Sequence, residues 1–290
     1  MKFVLCIIIF IYRTMKTTLT TPDLSGFRSV SDHQVESFRK DGHVLIPGIL
    51  SREEIAYYRD VINNATAANN TETRKLEDRD TYGKAFLQVM NLWEVDPAVA
   101  NFTLARRFGK IAADLLGVDR VRIYHDQALY KEPRGGHTPW HQDQYYWPLD
   151  TSDTVTMWMP LVDITEDMGM LTFASGSHKT EFEGDVAISD ESEEMFQQLV
   201  RDKGLEITRA KSMRAGDATW HYGWTFHAAP GNNTPDKMRE VMTVIFFADG
   251  AKVTEPRNQF QRADLERWLC NLPVGSEAAS ELNPLVYSAS

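Results

Sequence analysis

The 290-residue chain has only two cysteines, Cys6 and Cys270. Neither lies in a spacing that suits a thiolate metal site, and one distant pair is a poor staple for a chain of this length. The sequence therefore argues against both disulfide frameworks and cysteine-held metals. Basic charge is scarce as well. Thirty-one Lys and Arg stand against 41 Asp and Glu, for a net charge of -10 and a pI of about 5.3. A nucleic-acid binder needs a basic stripe to displace counterions from phosphates, and no such stripe is present. The apolar run from Phe3 to Tyr12 is too short to span a bilayer comfortably. It resembles a signal-peptide core, but Arg13-Thr14-Met15-Lys16 follows instead of a small-residue cleavage site. Two readings of residues 1–14 remain open: Met15 as the true start, or a signal or anchor. The matches to the glycosylation pattern at Asn64, Asn69, Asn101 and Asn232 are what chance yields in a Thr-rich chain and do not establish secretion. A cytoplasmic protein is expected. Internal repeats and long low-complexity segments are absent.

What is present is an ordinary globular composition, 42% hydrophobic and 25% charged, which is enough for one sizeable core. Residues 15–30 read as a mobile, Thr- and Ser-rich tail. Ser31-Asp32-His33-Gln34 is a capping box that opens a helix ending near Gly42. His43 to Pro47 reads as a short strand. Ser51-Arg52-Glu53-Glu54 is a second capping box, with Ile55, Tyr58 and Val61 at helical spacing behind it. Residues 67–83 read as a loop. Asp96-Pro97 caps a further helix, expected to run unbroken to Leu116 with Gly117 as its stop.

From Val121 the texture changes to short β-branched and aromatic runs at 121–130, 140–147, 154–162, 169–174, 218–227 and 239–248. That pattern predicts an antiparallel sandwich or jelly roll with flanking helices. A polar, partly helical insert at 178–210 interrupts it. The expected plan is an extension over 1–30, one domain over 31–250 and a C-terminal cover over 251–290. Within the domain, residues 31–118 form a helical part and 119–250 a β core.

His141-Gln142-Asp143 is the chemical focus. On a strand, residues two apart share a face, so both side chains could meet one ion. Trp140, Tyr145, Tyr146 and Trp147 surround the pair, and a carboxylate buried among aromatics beside imidazole demands a cation. A third ligand would come from His221 or His227. His227 is preferred because Arg239 lies twelve residues downstream, and a turn at Pro230 to Asn233 would fold that strand back beside His227. His221 then reads as a hydrogen-bonded pocket histidine. Two imidazoles and a carboxylate hold non-haem Fe(II) on one face and leave the other open. A fixed guanidinium nearby suits a dicarboxylate.

The chain resembles the phytanoyl-CoA dioxygenase family of Fe(II)/2-oxoglutarate oxygenases. The likeness runs in order through Ile123 to Pro133, Pro139 to Gln144, Thr156 to Leu161, Gly169 to Leu171, Ala174 to His178, Gly216-Asp217, and His227 through Arg239. It covers about residues 30 to 250, with Ala174 where the family's turn carries proline. The resemblance implies a double-stranded β-helix (cupin-like jelly roll) holding Fe(2+) through His141, Asp143 and His227. It implies that Arg239 takes the far carboxylate of 2-oxoglutarate, and that Gln127 and Trp158 line the co-substrate pocket. Plain core packing is the competing reading of Trp158. Lys131 reads as a surface lysine outside the site. Because Asp143 is present, the family's halogenases are a poor match.

The implied reaction consumes O2 and 2-oxoglutarate, releases succinate and CO2, and hydroxylates a small-molecule metabolite, with ascorbate as a possible support. No nucleic-acid partner and no stable membrane partner are expected. The competing classes are a cupin-like metal enzyme that does not use 2-oxoglutarate and an inactive binding protein of the same fold. No basic cluster suits a CoA pyrophosphate.

Overall fold

A computed structural model of the chain describes residues 21–180 and 187–289; the apolar run at 3–12 lies outside them. The helices are α1 (Asp32–Asp41), α2 (Arg52–Asn69), α3 (Thr81–Ala85), α4 (Leu92–Val95), α5 (Pro97–Thr103), α6 (Arg106–Leu116), α7 (Asp190–Asp202) and α8 (Gln259–Arg267). The first five strands are β1 (His43–Ile46), β2 (Leu87–Met90), β3 (Arg120–Tyr130), β4 (Thr138–His141) and β5 (Thr154–Pro160). They are followed by β6 (Ile164–Thr165), β7 (Thr172–Ser175), β8 (Glu206–Arg209), β9 (Ser212–Met213), β10 (Ala218–Tyr222), β11 (His227–Ala229), β12 (Val241–Ala248) and β13 (Leu285–Ser288).

Both capping boxes form as the sequence predicts. Ser31 and Ser51 accept from the N3 backbone, while Gln34 and Glu54 reach back to the cap, and Gly42 closes α1 at φ 84°. Glycine is needed there for a second reason. A Cβ on Gly42 would lie 2.3 Å from His178 Nδ1.

Two antiparallel sheets make the jelly roll. The larger runs β1-β10-β5-β12-β3-β13, with β2 also on β3; the smaller runs β4-β11-β7-β8. Strand periodicity sorts the large sheet's side chains. Val155, Met157 and Met159 of β5 and Met242, Val244 and Phe246 of β12 pack with the N-terminal helices in the main core. The alternate residues, Thr156, Trp158 and Thr243, face the interior cavity. Both faces of β12 are covered, which is why it reads as an almost unbroken apolar run. On α6, Phe108, Ile111 and Leu115 are sealed against that outer face, each contributing roughly 1.5–3 kcal/mol of burial.

Several expectations are corrected. The helix expected over 97–116 is two helices, because Ala105 is extended (ψ 124°) between them. The end of α5 is tied down where Thr103 Oγ1 donates to Asp126 Oδ2 at 2.9 Å. Leu92 and Trp93 also donate their N–H groups to that carboxylate. The run 140–147 is strand only to His141, and Asp143–Tyr146 is a 3-10 turn. The run 218–227 is two strands in different sheets, β10 and β11. β11 and β12 do not form a hairpin: β11 pairs with β4 and β7, and β12 with β3 and β5. Part of the expected tail is docked. Leu24 is buried, and Tyr58 donates to the Pro22 carbonyl at 2.8 Å. Among the described residues no helix is long and apolar enough to cross a membrane.

Candidate active site

The two sheets face each other across a cavity of about 400 Å³. His141, Asp143, His227, Arg239, Gln127 and Trp158 all line it. His141 ends β4 and is the direct cross-strand partner of His227 on β11, with ring centroids 4.1 Å apart. Asp143 Oδ1 lies 3.6 Å from His141 Nε2 and 3.5 Å from His227 Nε2. The ligand atoms of these three residues all fall within 4.8 Å of one another. Gln142 stays extended (φ -124°, ψ 131°) between the end of β4 and the 3-10 turn that Asp143 opens, so His141 and Asp143 share a face.

The protonation pattern suits a metal. His141 Nδ1 sits 2.8 Å from the Pro139 carbonyl, and His227 Nδ1 2.9 Å from the Thr225 carbonyl. A carbonyl only accepts, so each Nδ1 carries the proton and each Nε2 turns a free lone pair toward Asp143. This is the outer-sphere arrangement that orients metal-binding imidazoles. Burial pushes His227 well below the usual histidine range, assisted by His141. Burial alone would raise Asp143, but the surrounding imidazoles, His227 foremost, outweigh it and hold the carboxyl well below its ordinary value. Three converging donors of mixed N and O type, two buried and one half-buried, therefore fit Fe(II).

His221 takes a different part. Its Nε2 is 3.2 Å from Asp143 Oδ2. A carboxylate accepts, so this nitrogen donates and has no lone pair for an ion. Thr156 Oγ1 donates to the same oxygen at 2.8 Å. Oδ2 is thus held by two donors while Oδ1 faces His141 and His227.

Arg239 lies just before β12 and is 2% exposed. Its Nη1 donates to the Gly169 carbonyl at 2.6 Å, and its guanidinium carbon stands 5.4 Å from the Trp158 ring centre. Its Nε is buried with no partner, and burial lowers its pKa to about 9. Trp158, Thr243 and Gln127 sit at one level across β5, β12 and β3, and Gln127 accepts from Gln88.

Lys131 corrects the sequence reading outright. It is fully buried, and its backbone pairs with that of Arg239 in both directions at 2.9 Å. Its ammonium donates to the Gly136 carbonyl and, at 3.4 Å, to Thr138 Oγ1. Burial, and then the Arg239 charge, bring it down to about 6. Among the described residues no carboxylate pairs with Lys131 or Arg239.

Sequence reasoning also passed over Thr156, His125, Phe260 and Asp264, all of which line the cavity. They arrive from separate strands and from α8, and no local motif marks them.

The sequence pattern of the family described as Phytanoyl-CoA dioxygenase (PhyH) matches residues 38–241, from α1 to the start of β12. A probable alpha-ketoglutarate-dependent hypophosphite dioxygenase of Stutzerimonas stutzeri is 22% identical over 227 residues, 74% of this chain and 78% of that protein. An ectoine dioxygenase of Sphingopyxis alaskensis is 25% identical over 162 residues, 52% of this chain and 51% of that one. Among solved structures, the non-heme alpha ketoglutarate dependent carbocyclase SnoK from nogalamycin biosynthesis superposes with a TM-score of 0.73. That structure is 25% identical and covers 90% of this chain and 99% of its own. Fold, donor cluster and matched span agree: the chain belongs to the phytanoyl-CoA dioxygenase family of iron- and 2-oxoglutarate-dependent oxygenases.

Proposed function

We propose that this enzyme hydroxylates a small-molecule metabolite, with His141, Asp143 and His227 holding Fe(II) and Arg239 anchoring 2-oxoglutarate. The observation that carries the co-substrate assignment is the buried guanidinium of Arg239, its Nε without a partner and the buried Lys131 amine beside it, with no carboxylate paired to either among the described residues. Uncompensated buried charge is expensive, and a carboxylate entering that end of the cavity would offset it. Arg239 would hold the far carboxylate in a charge-assisted pair, and Trp158 and Gln127 would wall the chelating chain. Iron held by these three side chains would supply the oxygen activation. The overall reaction takes R–H, 2-oxoglutarate and O2 to R–OH, succinate and CO2.

The protein's own share is placement and exclusion of water. His221 and Thr156 fix the Asp143 carboxylate, the carbonyls of Pro139 and Thr225 fix the two imidazoles, and aromatic walls dry the space in front of them. A metal enzyme that ignores 2-oxoglutarate would have no use for a buried, half-satisfied guanidinium. The test is succinate formation by the iron-loaded protein over a panel of metabolites. Succinate that requires both 2-oxoglutarate and a metabolite supports the reading, and its absence across the panel with bound iron contradicts it.

A further inference from the structure

The cavity has two chemically different ends. Along β3 the inward residues are His125, Gln127 and Leu129, and Lys131 follows. The strand therefore separates His125 from the Lys131–Arg239 pair by roughly 20 Å. Thr156, which holds Asp143, is level with His125 through Ile245 of β12. The donor cluster thus lies toward the His125 end. On that side the walls are aromatic: Tyr146 and Phe260, with ring centres 5.5 Å apart, and Trp147, 5.4 Å from the Tyr124 ring.

One carboxylate opens into that aromatic space. Asp264, on α8, lines the cavity and accepts from Tyr124 Oη through Oδ2 at 2.9 Å. No partner is found for Oδ1 among the described residues. The neighbouring cation does not neutralise it, because Arg267 lays its guanidinium 4.3 Å from the Trp268 ring centre and makes no ion pair with Asp264. Burial raises Asp264 to about 7, against the opposing pull of Tyr124 and Arg267. An ionised carboxylate there is costly until a cation arrives. A partly desolvated carboxylate ringed by aromatic faces is the chemistry that recognises a positively charged nitrogen.

Building on the function proposed above, we propose that the substrate carries a protonated or quaternary amine on an apolar body, with Asp264 pairing the cationic nitrogen. The aromatic walls take the rest of the molecule, and the carbon to be oxidised is presented toward His141, Asp143 and His227. Arg239 selects one anion at one end, and Asp264 selects one cation at the other.

The test uses the full chain and two probes of equal shape, 2-phenylethylammonium and its neutral counterpart 2-phenylethanol, titrated by ligand-observed NMR. The ammonium should bind roughly tenfold more tightly than the alcohol. Asp264→Asn keeps the acceptor for Tyr124 and should erase that preference, as should Asp264→Ser, while Tyr124→Phe should keep it. In parallel, 2-oxoglutarate binding is measured on each protein. Equal binding of the two probes, no binding of either, or a preference that survives both Asp264 substitutions overturns the proposal. Loss of 2-oxoglutarate binding in the unsubstituted protein would instead strike the co-substrate reading, so the two failures are distinguishable. A variant that binds 2-oxoglutarate normally is folded, and its probe preference then decides the matter.

Discussion

His221 Nε2 and Asp143 Oδ2 stand 3.2 Å apart, and this contact decides which of two histidines is free to hold a metal. His221 spends its proton on the carboxylate. His227 directs its proton to the Thr225 carbonyl and keeps a lone pair facing the cluster. On the proposed metal site, His221 is a positioning residue. His221→Phe should weaken Co(II) or Fe(II) binding about 10–100-fold without abolishing it, the range expected when an outer-sphere partner is lost. Thr156→Val, which removes the other donor to Oδ2, should act in the same direction. Metal titration checks both, and complete loss of binding in His221→Phe would make His221 a ligand.

His141→Ala and His227→Ala should each remove stoichiometric metal binding. Because a ligand that binds only the folded state stabilises it by mass action, metal at 100 times its dissociation constant should add about 2.7 kcal/mol to the unsubstituted protein. Thermal melts with and without Co(II) read this directly. The stabilisation should vanish in both variants.

Arg239→Ala should weaken 2-oxoglutarate binding by roughly 2–4 kcal/mol, the cost of removing one partner of a buried charge pair. Isothermal titration of the metal-loaded protein measures it. An unchanged affinity would remove Arg239 from the co-substrate site.

Lys131 gives the apo-protein a pH signature. Burial first, and then Arg239, lower its pKa from 10.5 to about 6. The unfolded chain therefore binds the extra proton between those values, and stability rises with pH across that window. The slope contributed is at most about 1.4 kcal/mol per pH unit. Below about pH 6 both states are protonated and the full penalty of the buried charge is present. Lys131→Met should flatten this slope in denaturant titrations. 2-Oxoglutarate should also flatten it, because its carboxylate favours the protonated amine.

Gly169 supports the same corner. It sits at φ 80°, and a Cβ there would lie 2.6 Å from the Pro230 carbonyl and 2.9 Å from Lys131 Cδ. Gly169→Ala should cost roughly 1–2 kcal/mol for the left-handed backbone alone. It should also displace the carbonyl that receives Arg239. Denaturant melts should show the destabilisation, together with a raised 2-oxoglutarate requirement.

The features that could be read in advance are local ones. The capping boxes at Ser31 and Ser51 and the stop at Gly117 depend on residues within one turn, and the structure forms all three. The alternating run of β5 and the nearly unbroken apolar run of β12 announced strands, one by its period of two and the other by burial on both faces. The HxD pair and the distal histidine were recognisable as chemistry, although the 3-10 geometry at Asp143 was not. What escaped were the consequences of topology. Lys131 looks like a strand-ending surface residue until β12 is known to pass beside β3. The break after Thr103 depends on a carboxylate, Asp126, that lies on a strand 23 residues later. Asp264 enters the cavity only because the C-terminal segment folds back over it, and no spacing within 251–290 encodes that.

The central claim, one ferrous ion at His141, Asp143 and His227 with 2-oxoglutarate chelated beside it, is tested most directly by the visible charge-transfer band of the anaerobic Fe(II)–2-oxoglutarate complex. The account predicts the band in the unsubstituted protein, its loss in Asp143→Ala and in His227→Ala, and its return in Arg239→Gln only at higher 2-oxoglutarate. A band of full intensity in either ligand variant, or none in the unsubstituted protein with both components bound, would contradict it.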